Sequence, residues 1–300
     1  MTGEGMGRVV MDFHDPRYQY SDGQVEEDIL SYVTTKKDLH RCAIEDGRWP
    51  VIYHLSDVRR NLLEWYEFDQ NASLLEVGAG CGALTGLFCE KVSRVVAVEI
   101  SPKRAEILKK RHSDHDNLWV YVGRLQDISK DEKFDYITLI GVLEYASLFD
   151  DGEDPHLALL KNCIERLKPG GILIVAIENR IGIKYLAGAP EDHTGNLFEG
   201  IEGYPSGSSP RTFDRKELND LMVKAGIRKV KFFYPWPDYK MPELILSDSY
   251  LPRIGMLRSY SPNYDQPRFR LFNEGAAMDS ISGNTLSAEL SNSLLVFCEI

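Results

Sequence analysis

Apolar and polar positions alternate along this chain in two rhythms. Residues 25–33 and 55–66 carry apolar side chains at helical spacing, in the second case Leu55, Val58, Leu62, Trp65 and Tyr66, and Ser56 stands where a hydroxyl caps a first turn. Two helices are therefore predicted ahead of the first strand. From residue 73 the rhythm changes: 73–77 (SLLEV) reads as a short strand, 78–82 (GAGCG) as a turn, and 83–91 as a helix. A second strand is predicted over 94–100 (RVVAVEI), with Pro102 opening the next helix in the first-turn position, where a missing N–H costs nothing. Strands follow over 118–122 and 134–140, then a helix over 156–167 stopped by Pro169-Gly170-Gly171. Residues 172–177 form a fifth strand, apolar throughout as a strand covered on both faces is.

Strand and helix alternating through short connections predict a mostly parallel, doubly wound α/β sheet. After the fifth strand the rhythm breaks. Residues 178–212 are long, irregular and rich in Gly, Pro, Asp and Asn, and segments of that length inside a compact domain are usually functional. A helix (214–225) and a strand (229–234) follow, then a second irregular stretch (235–290) punctuated by prolines, and a last strand over 293–299. The sequence stops one residue after that strand, either as a complete protein or as one whose natural chain continues.

Composition narrows the function classes. With 35 Lys and Arg against 46 Asp and Glu among 300 residues, the net charge is −11, which suits a phosphate backbone poorly, so no nucleic acid is expected as partner. No apolar run approaches the roughly 20 residues that cross a bilayer, and the N-terminus has no basic flank followed by an apolar stretch, so a cytoplasmic protein is expected. Five cysteines (Cys42, Cys81, Cys89, Cys163 and Cys298) without a C-x-x-C pair fit neither a disulfide framework nor a zinc site. The acidic run 150–155 reads as a solvated loop, and no metal site is assigned.

The strand ending Glu76-Val77-Gly78-Ala79-Gly80-Cys81-Gly82 and turning into a helix is the chain's clearest ligand signal. Glycines let backbone approach a ligand, and N–H groups at a helix start favour negative charge. Two ligand classes compete, because Gly78-x-Gly80-x-x-Ala83 also satisfies the dinucleotide pattern and Glu99, at the end of the second strand, suits a ribose in either case. Glu76, two residues before the first glycine, favours a ligand that carries an ammonium group. The stretch LKPGGIL before the fifth strand and the antiparallel return into the last strand point the same way.

Over about residues 74–234, and less specifically the last strand, the chain resembles the class I S-adenosylmethionine-dependent methyltransferases. EVGAGCG resembles that family's glycine motif, VVAVEIS its ribose motif and LKPGGILIV its fifth-strand motif. The resemblance implies a seven-stranded, mostly parallel doubly wound sheet with the last strand reversed. It also implies a helical cap (1–70) before a cofactor-binding domain (71–300) with lid insertions at about 178–212 and 235–290. The implied cofactor is S-adenosyl-L-methionine, with S-adenosyl-L-homocysteine as product. Gly78, Gly80 and Gly82 would lie against its methionine part and ribose, Glu76 would reach its amino group, and Glu99, beside Ile100, would accept both ribose hydroxyls. Asp127 would meet the adenine amino group with Gln126 supplying backbone contacts, although Arg124 replaces the family's usual acid after the glycine. Gly141 would offer backbone beneath the sulfonium, and Glu144 is read as equally a residue of the next turn.

Ligands of doubly wound sheets bind outside the carboxyl ends of the strands, from which both irregular segments leave, so these segments are expected to roof an acceptor pocket and to be mobile when it is empty. Their Asn, Asp, His, Tyr and Trp suit a sugar or polar metabolite. Together with Tyr20-Ser21-Asp22-Gly23 and the helix HLSDVRRNLLEWYEF, they resemble methyltransferase domains encoded among bacterial surface-polysaccharide and glycosyltransferase genes. That narrower resemblance implies a glycan-precursor acceptor and a glycosyltransferase domain or partner. Transfer to a hydroxyl needs a proton acceptor. His193, beside Asp192, is the first candidate, His156 the second and Asp238 a third, with Asn179 and Asp238 binding neighbouring hydroxyls. The competing expectations are a nicotinamide-dependent oxidoreductase on the same sheet and a non-catalytic cofactor-binding interaction module.

Overall fold

The computed structural model describes residues 9–10, 23–35, 38–150, 152–207, 209–259 and 267–300, with Val9 and Val10 described by their backbone. Tyr20, Ser21, Asp22 and Asp151 lie outside the described residues. The chain forms two compact units. One comprises residues 1–139 and 162–172, and the other residues 140–161 and 173–300.

The first unit carries the strands β1 (Val9–Val10), β2 (Ser73–Val77), β3 (Arg94–Glu99), β4 (Leu118–Val122) and β5 (Phe134–Ile140), in the order β1-β4-β3-β2-β5. Every pair among them is parallel, with Glu76 in register with Ala97 on one side and Thr138 on the other. All five residues of β2 and five of the six in β3 are buried, the outcome expected of strands covered on both faces. Ser101 caps the following helix, Pro102–Arg111, by accepting the Arg104 amide, and Pro102 occupies the first turn.

The N-terminal helices Gln24–Thr34, Leu39–Asp46 and Trp49–Leu55 pack into the same unit. Ile29, Val33, Ala43, Val51 and Leu55 share one core with Ile107 and with Cys81 of the glycine turn, and a buried Arg104–Glu26 ion pair of 2.7 Å pins the first helix to Pro102–Arg111. The periodicity over 55–66 resolves into two shorter pieces, because Ser56 takes an extended conformation that ends Trp49–Leu55. Its hydroxyl then caps a 3₁₀ turn, Asp57–Leu62, by accepting the Val58 amide.

The second unit contains most of β6 (Leu167–Glu178), with β7 (Lys229–Trp236), β8 (Leu244–Ser247) and β9 (Ser293–Glu299), in the order β6-β9-β7-β8. β9 runs antiparallel to β7, which gives the reversed last strand, and β8 is an added antiparallel strand within the stretch read as irregular. Pro169-Gly170-Gly171 lies inside β6 instead of before it. The preceding helix, Pro155–Ile164, has already stopped, and the buried Arg166 folds back on Asn162 and on the Ile128 carbonyl. The helix Arg215–Lys224 begins in a capping box between Asp214 and Glu217.

The segment after β6 is a packed part of its unit. Ile183, Lys184, Tyr185, Ala187, Glu191, Glu199, Tyr204 and Thr212 are all buried. The later stretch holds the short helices Glu274–Ser280 and Leu286–Glu289 as well as β8. All five cysteines are free thiols, and among the described residues no helix is long and apolar enough to cross a membrane.

Candidate functional site

In the first unit, the Glu99 carboxylate sits at the end of β3 with 5% exposure. One oxygen accepts the Gly80 amide and the other the Ser101 amide, each at 2.8 Å, so its plane is fixed by backbone. Burial outweighs these two bonds and holds its pKa above the usual carboxylate range. Gly80 adopts a positive φ of 56°, and a Cβ placed there would meet nothing within 4 Å, so open space adjoins the carboxylate. Glu76 is buried and accepts the Thr85 hydroxyl at 2.6 Å. Burial pushes its pKa up to about 8 against the lowering effect of that bond, and a partner that brought positive charge would favour its ionised form.

The turn's own amides are used within the protein. Those of Gly78 and Ala79 donate to Val98, that of Gly80 to Glu99 and that of Gly82 to Ala79. The amides at these four positions are therefore not free for a ligand. A ligand bearing an ammonium and a vicinal diol fits the two carboxylates and the open face at Gly80.

Gly82 is a glycine for a packing reason: a Cβ there would lie 2.9 Å from the His112 ring, and its φ is +77°. Asp127 turns toward its own chain, where one oxygen accepts the Arg124 amide at 2.8 Å and the other pairs with the Arg124 guanidinium at 3.6 Å. Gln126 is exposed and Ile100 half-buried.

In the second unit, three side chains converge that the sequence pattern kept apart. Glu144, in the 3₁₀ turn after β5, and Glu178, the last residue of β6, are each fully buried, and His193 joins them from the segment after β6. One potential ligand atom from each lies within 4.8 Å of the others. His193 Nε2 is 3.8 Å from Glu144 Oε1, beyond hydrogen-bond distance, while its Nδ1 is 3.0 Å from Glu191 Oε1. Both oxygens of Glu144 and Oε2 of Glu178 have no hydrogen-bond partner. The other oxygen of Glu178 is 2.6 Å from the Lys240 ammonium and accepts the Tyr239 hydroxyl at 3.3 Å.

The partner of His193 is thus Glu191, whose Oε2 also accepts the amides of His193 and Thr194, and not its neighbour Asp192. Asp192 is held instead by the ammonium groups of Lys184 at 2.6 Å and Lys240 at 3.1 Å. Burial disfavours the His193 charge, but the Glu191 bond and the Glu178 and Glu144 carboxylates outweigh it and raise the pKa to about 9. The neutral-range titration expected for a histidine base does not apply to it. Burial and then the charge of Glu178 push Glu144 up to about 8, whereas at Glu178 the cost of burial is overcome by Lys240, and its pKa is lowered.

The other sequence candidates are engaged elsewhere. His156 packs edge-on against Phe213 at 5.0 Å, and burial lowers its pKa, so it is a neutral core imidazole. Asp238 is 1% exposed, with one oxygen on Lys184 at 3.1 Å and the other on the Lys240 amide at 2.9 Å. The Asn179 side chain bonds to Glu289, Ser291 and Ile181, fixing a chain crossing instead of facing a ligand. Gly141 donates its amide to Ala176 at 2.9 Å, so that N–H is not free for a ligand. In the acidic run, Asp150 accepts the Gly152 amide and Asp154 pairs with Lys224. The signal for Glu144 and Glu178 was their position just past strand ends, where open α/β sheets place ligand groups.

Residues 75–173 match the protein family described as a methyltransferase domain. The ribosomal RNA small subunit methyltransferase A of Syntrophus aciditrophicus is 31% identical over 84 residues, 28% of this chain and 28% of that protein. The ubiquinone biosynthesis O-methyltransferase of Xanthomonas campestris is 26% identical over 155 residues, 47% of this chain and 62% of that protein. The chain thus spans less than two thirds of either curated relative. Among solved structures, a Thermotoga maritima SAM-dependent methyltransferase, described as a possible histamine N-methyltransferase, aligns at a TM-score of 0.46 and 21% identity, covering 87% of this chain and 97% of that one. Over residues 75–173 the chain is thus similar to a methyltransferase domain, and it also resembles these named methyltransferases.

Proposed function

We propose that the protein transfers a methyl group from S-adenosylmethionine to a hydroxyl oxygen of a small polar acceptor of the sugar or glycan-precursor class. The observation that carries the acceptor half of this proposal is the buried convergence of Glu144, Glu178 and His193, with carboxylate oxygens left without partners. A buried carboxylate in that condition is costly unless a ligand completes it.

When bound, the cofactor supplies an electrophilic methyl on a sulfonium. Transfer would form an O–CH₃ bond as the S–CH₃ bond breaks with its electron pair remaining on sulfur, and the hydroxyl proton would have to be taken up by the protein. Glu99 accepts the ribose hydroxyls while the amides of Gly80 and Ser101 keep its plane fixed. Glu76 opposes the methionine ammonium, and the backbone beside Gly78 and Gly80 lines the ligand. The hydroxyl is oriented within the carboxylate–imidazole cluster, with Glu191 orienting His193, and its proton passes to the unpartnered Oε2 of the Glu178 carboxylate. The named O-methyltransferases among the curated relatives support an oxygen acceptor. A glycosyltransferase acting on the same glycan precursor is the proposed partner.

Incubation with methyl-labelled cofactor and a panel of free sugars, nucleotide sugars and lipid-linked saccharides tests this proposal. A labelled product whose methyl resides on oxygen is the expected result. Binding of S-adenosylhomocysteine without turnover on any hydroxyl compound, or a product methylated on nitrogen, would overturn it.

A further inference from the structure

We propose that Glu144, Glu178 and His193 hold one divalent first-row metal ion of the Mn²⁺ or Zn²⁺ kind, and that this ion binds the acceptor's hydroxyl oxygen. The second half rests on the O-methyltransfer proposal, and the first does not.

Atoms that share one ion at ordinary metal–ligand distances of about 2.0–2.4 Å stand no more than about 4.8 Å apart. The three ligand atoms satisfy that limit. The Nε2–Oε1 separation of 3.8 Å is too long for a hydrogen bond and suits two ligands meeting at an ion between them. Glu144 is 0% exposed with neither oxygen partnered, and Glu178 is 0% exposed with Oε2 unpartnered, so the cluster presents acceptors that the protein itself does not satisfy.

The surroundings of His193 follow the outer-shell pattern of metal-bound imidazoles. Its Nδ1 faces the Glu191 carboxylate at 3.0 Å, which fixes the ring and directs Nε2 at the other two residues. Glu191 is itself fixed by the amides of His193 and Thr194. In this network the carboxylates of Glu178, Asp192 and Asp238 meet the ammonium groups of Lys184 and Lys240, whereas Glu144 meets neither. Two carboxylates and one imidazole leave coordination positions for an oxygen ligand, and a hydroxyl bound there loses its proton more readily than a free alcohol.

Titration of the metal-stripped whole chain with Mn²⁺, followed by electron paramagnetic resonance, tests the site without cofactor or acceptor. One ion per chain is expected, with nitrogen modulation of the bound-ion signal from His193. Glu144→Gln and His193→Gln should each weaken binding by about 100-fold or more, and Glu191→Gln, acting through His193, by about 10–100-fold. Loss of the nitrogen signal in His193→Gln, in protein that keeps its circular dichroism, assigns the ligand. Absence of saturable binding of both Mn²⁺ and Zn²⁺ by the wild type would overturn the proposal, and so would unchanged affinity in Glu144→Gln. Methyl transfer to a hydroxyl that survives exhaustive chelation with no ion bound would sink the metal and leave the O-methyltransfer proposal standing. Metal binding with no transfer to any hydroxyl would do the reverse.

Discussion

Glu99 and Gly80 are joined by one hydrogen bond, carboxylate Oε2 to backbone amide at 2.8 Å, so the acid at the end of β3 holds the tip of the turn that follows β2. The glycine thereby leaves open space beside the acid and orients it. A free amide at the same place would attract an anion. One already committed to a carboxylate instead leaves that carboxylate's remaining lone pairs aimed at neutral donors such as ribose hydroxyls.

Replacing Glu99 separates these two roles. Glu99→Ala should weaken S-adenosylhomocysteine binding by about 2–4 kcal/mol, through loss of charge-assisted bonds to the ribose and of the restraint on Gly80. Glu99→Gln keeps an oxygen for one amide and should fall between the two. Calorimetry that finds Glu99→Ala binding at wild-type affinity would remove the cofactor assignment of this turn.

Gly82→Ala distinguishes a packing glycine from a ligand glycine. The new methyl would stand 2.9 Å from the His112 ring in a backbone conformation with φ +77°. Destabilisation of about 2 kcal/mol or more is expected in denaturant unfolding, and His112→Ala should relieve only the steric part. An unchanged midpoint together with lost cofactor affinity would show that the methyl meets ligand and not His112.

Glu76 makes folding and binding depend on pH. Its pKa of about 8 in the folded chain lies above its ordinary value of 4.5, so the folded state keeps a proton that the unfolded state loses. Its contribution is therefore fully present below about pH 4.5 and is lost as pH rises through about 8, a change of up to about 5 kcal/mol. Glu76→Gln should flatten the stability profile over that window. An ammonium docking against Glu76 stabilises the ionised form, so cofactor binding at pH 7 should release about one proton in the wild type and none in the variant. Binding enthalpies measured in buffers of different ionisation enthalpy check this. Equal slopes for the two proteins would show that Glu76 does not meet the cofactor's charge.

The strands and the glycine turn of the first unit were legible because their signals are local. Strands 73–77 and 118–122 coincide with the hydrophobic pattern, the last strand does too, and the glycine turn with Glu99 lies within one strand–helix–strand unit. The cluster around His193 was not legible, because its contacts cross long stretches of chain. Asp192 adjoins His193 in sequence, yet the lysines at 184 and 240 claim it, and the imidazole turns to Glu191. Glu144 reads as an ordinary turn residue until Glu178 and His193 are brought to it. Loop composition predicted mobility in the segment after β6 because it gives no hint of side chains that replace ladder bonds.

That replacement yields the last prediction. Between Ile183 and Thr212 the backbone is secured by short-range bonds, Ala189 to Lys184 and Glu191 to Asn196 among them, and by side chains reaching backbone, with the Tyr204 hydroxyl accepting the Thr212 amide at 2.8 Å. Glu191 is the hub: it takes two amides and the His193 imidazole, and it accepts the Tyr204 hydroxyl at 3.3 Å. Hydrogen exchange of the ligand-free chain should therefore show this segment protected as well as its flanking strands, and trypsin should spare the buried Lys184. Glu191→Ala leaves buried donors unpaired and a histidine without its counter-charge. It should cost about 2–5 kcal/mol and open the segment to exchange without loosening β2 or β3. Rapid exchange here in the ligand-free wild type, slowed only when cofactor and acceptor are both present, would instead make the segment a closing lid.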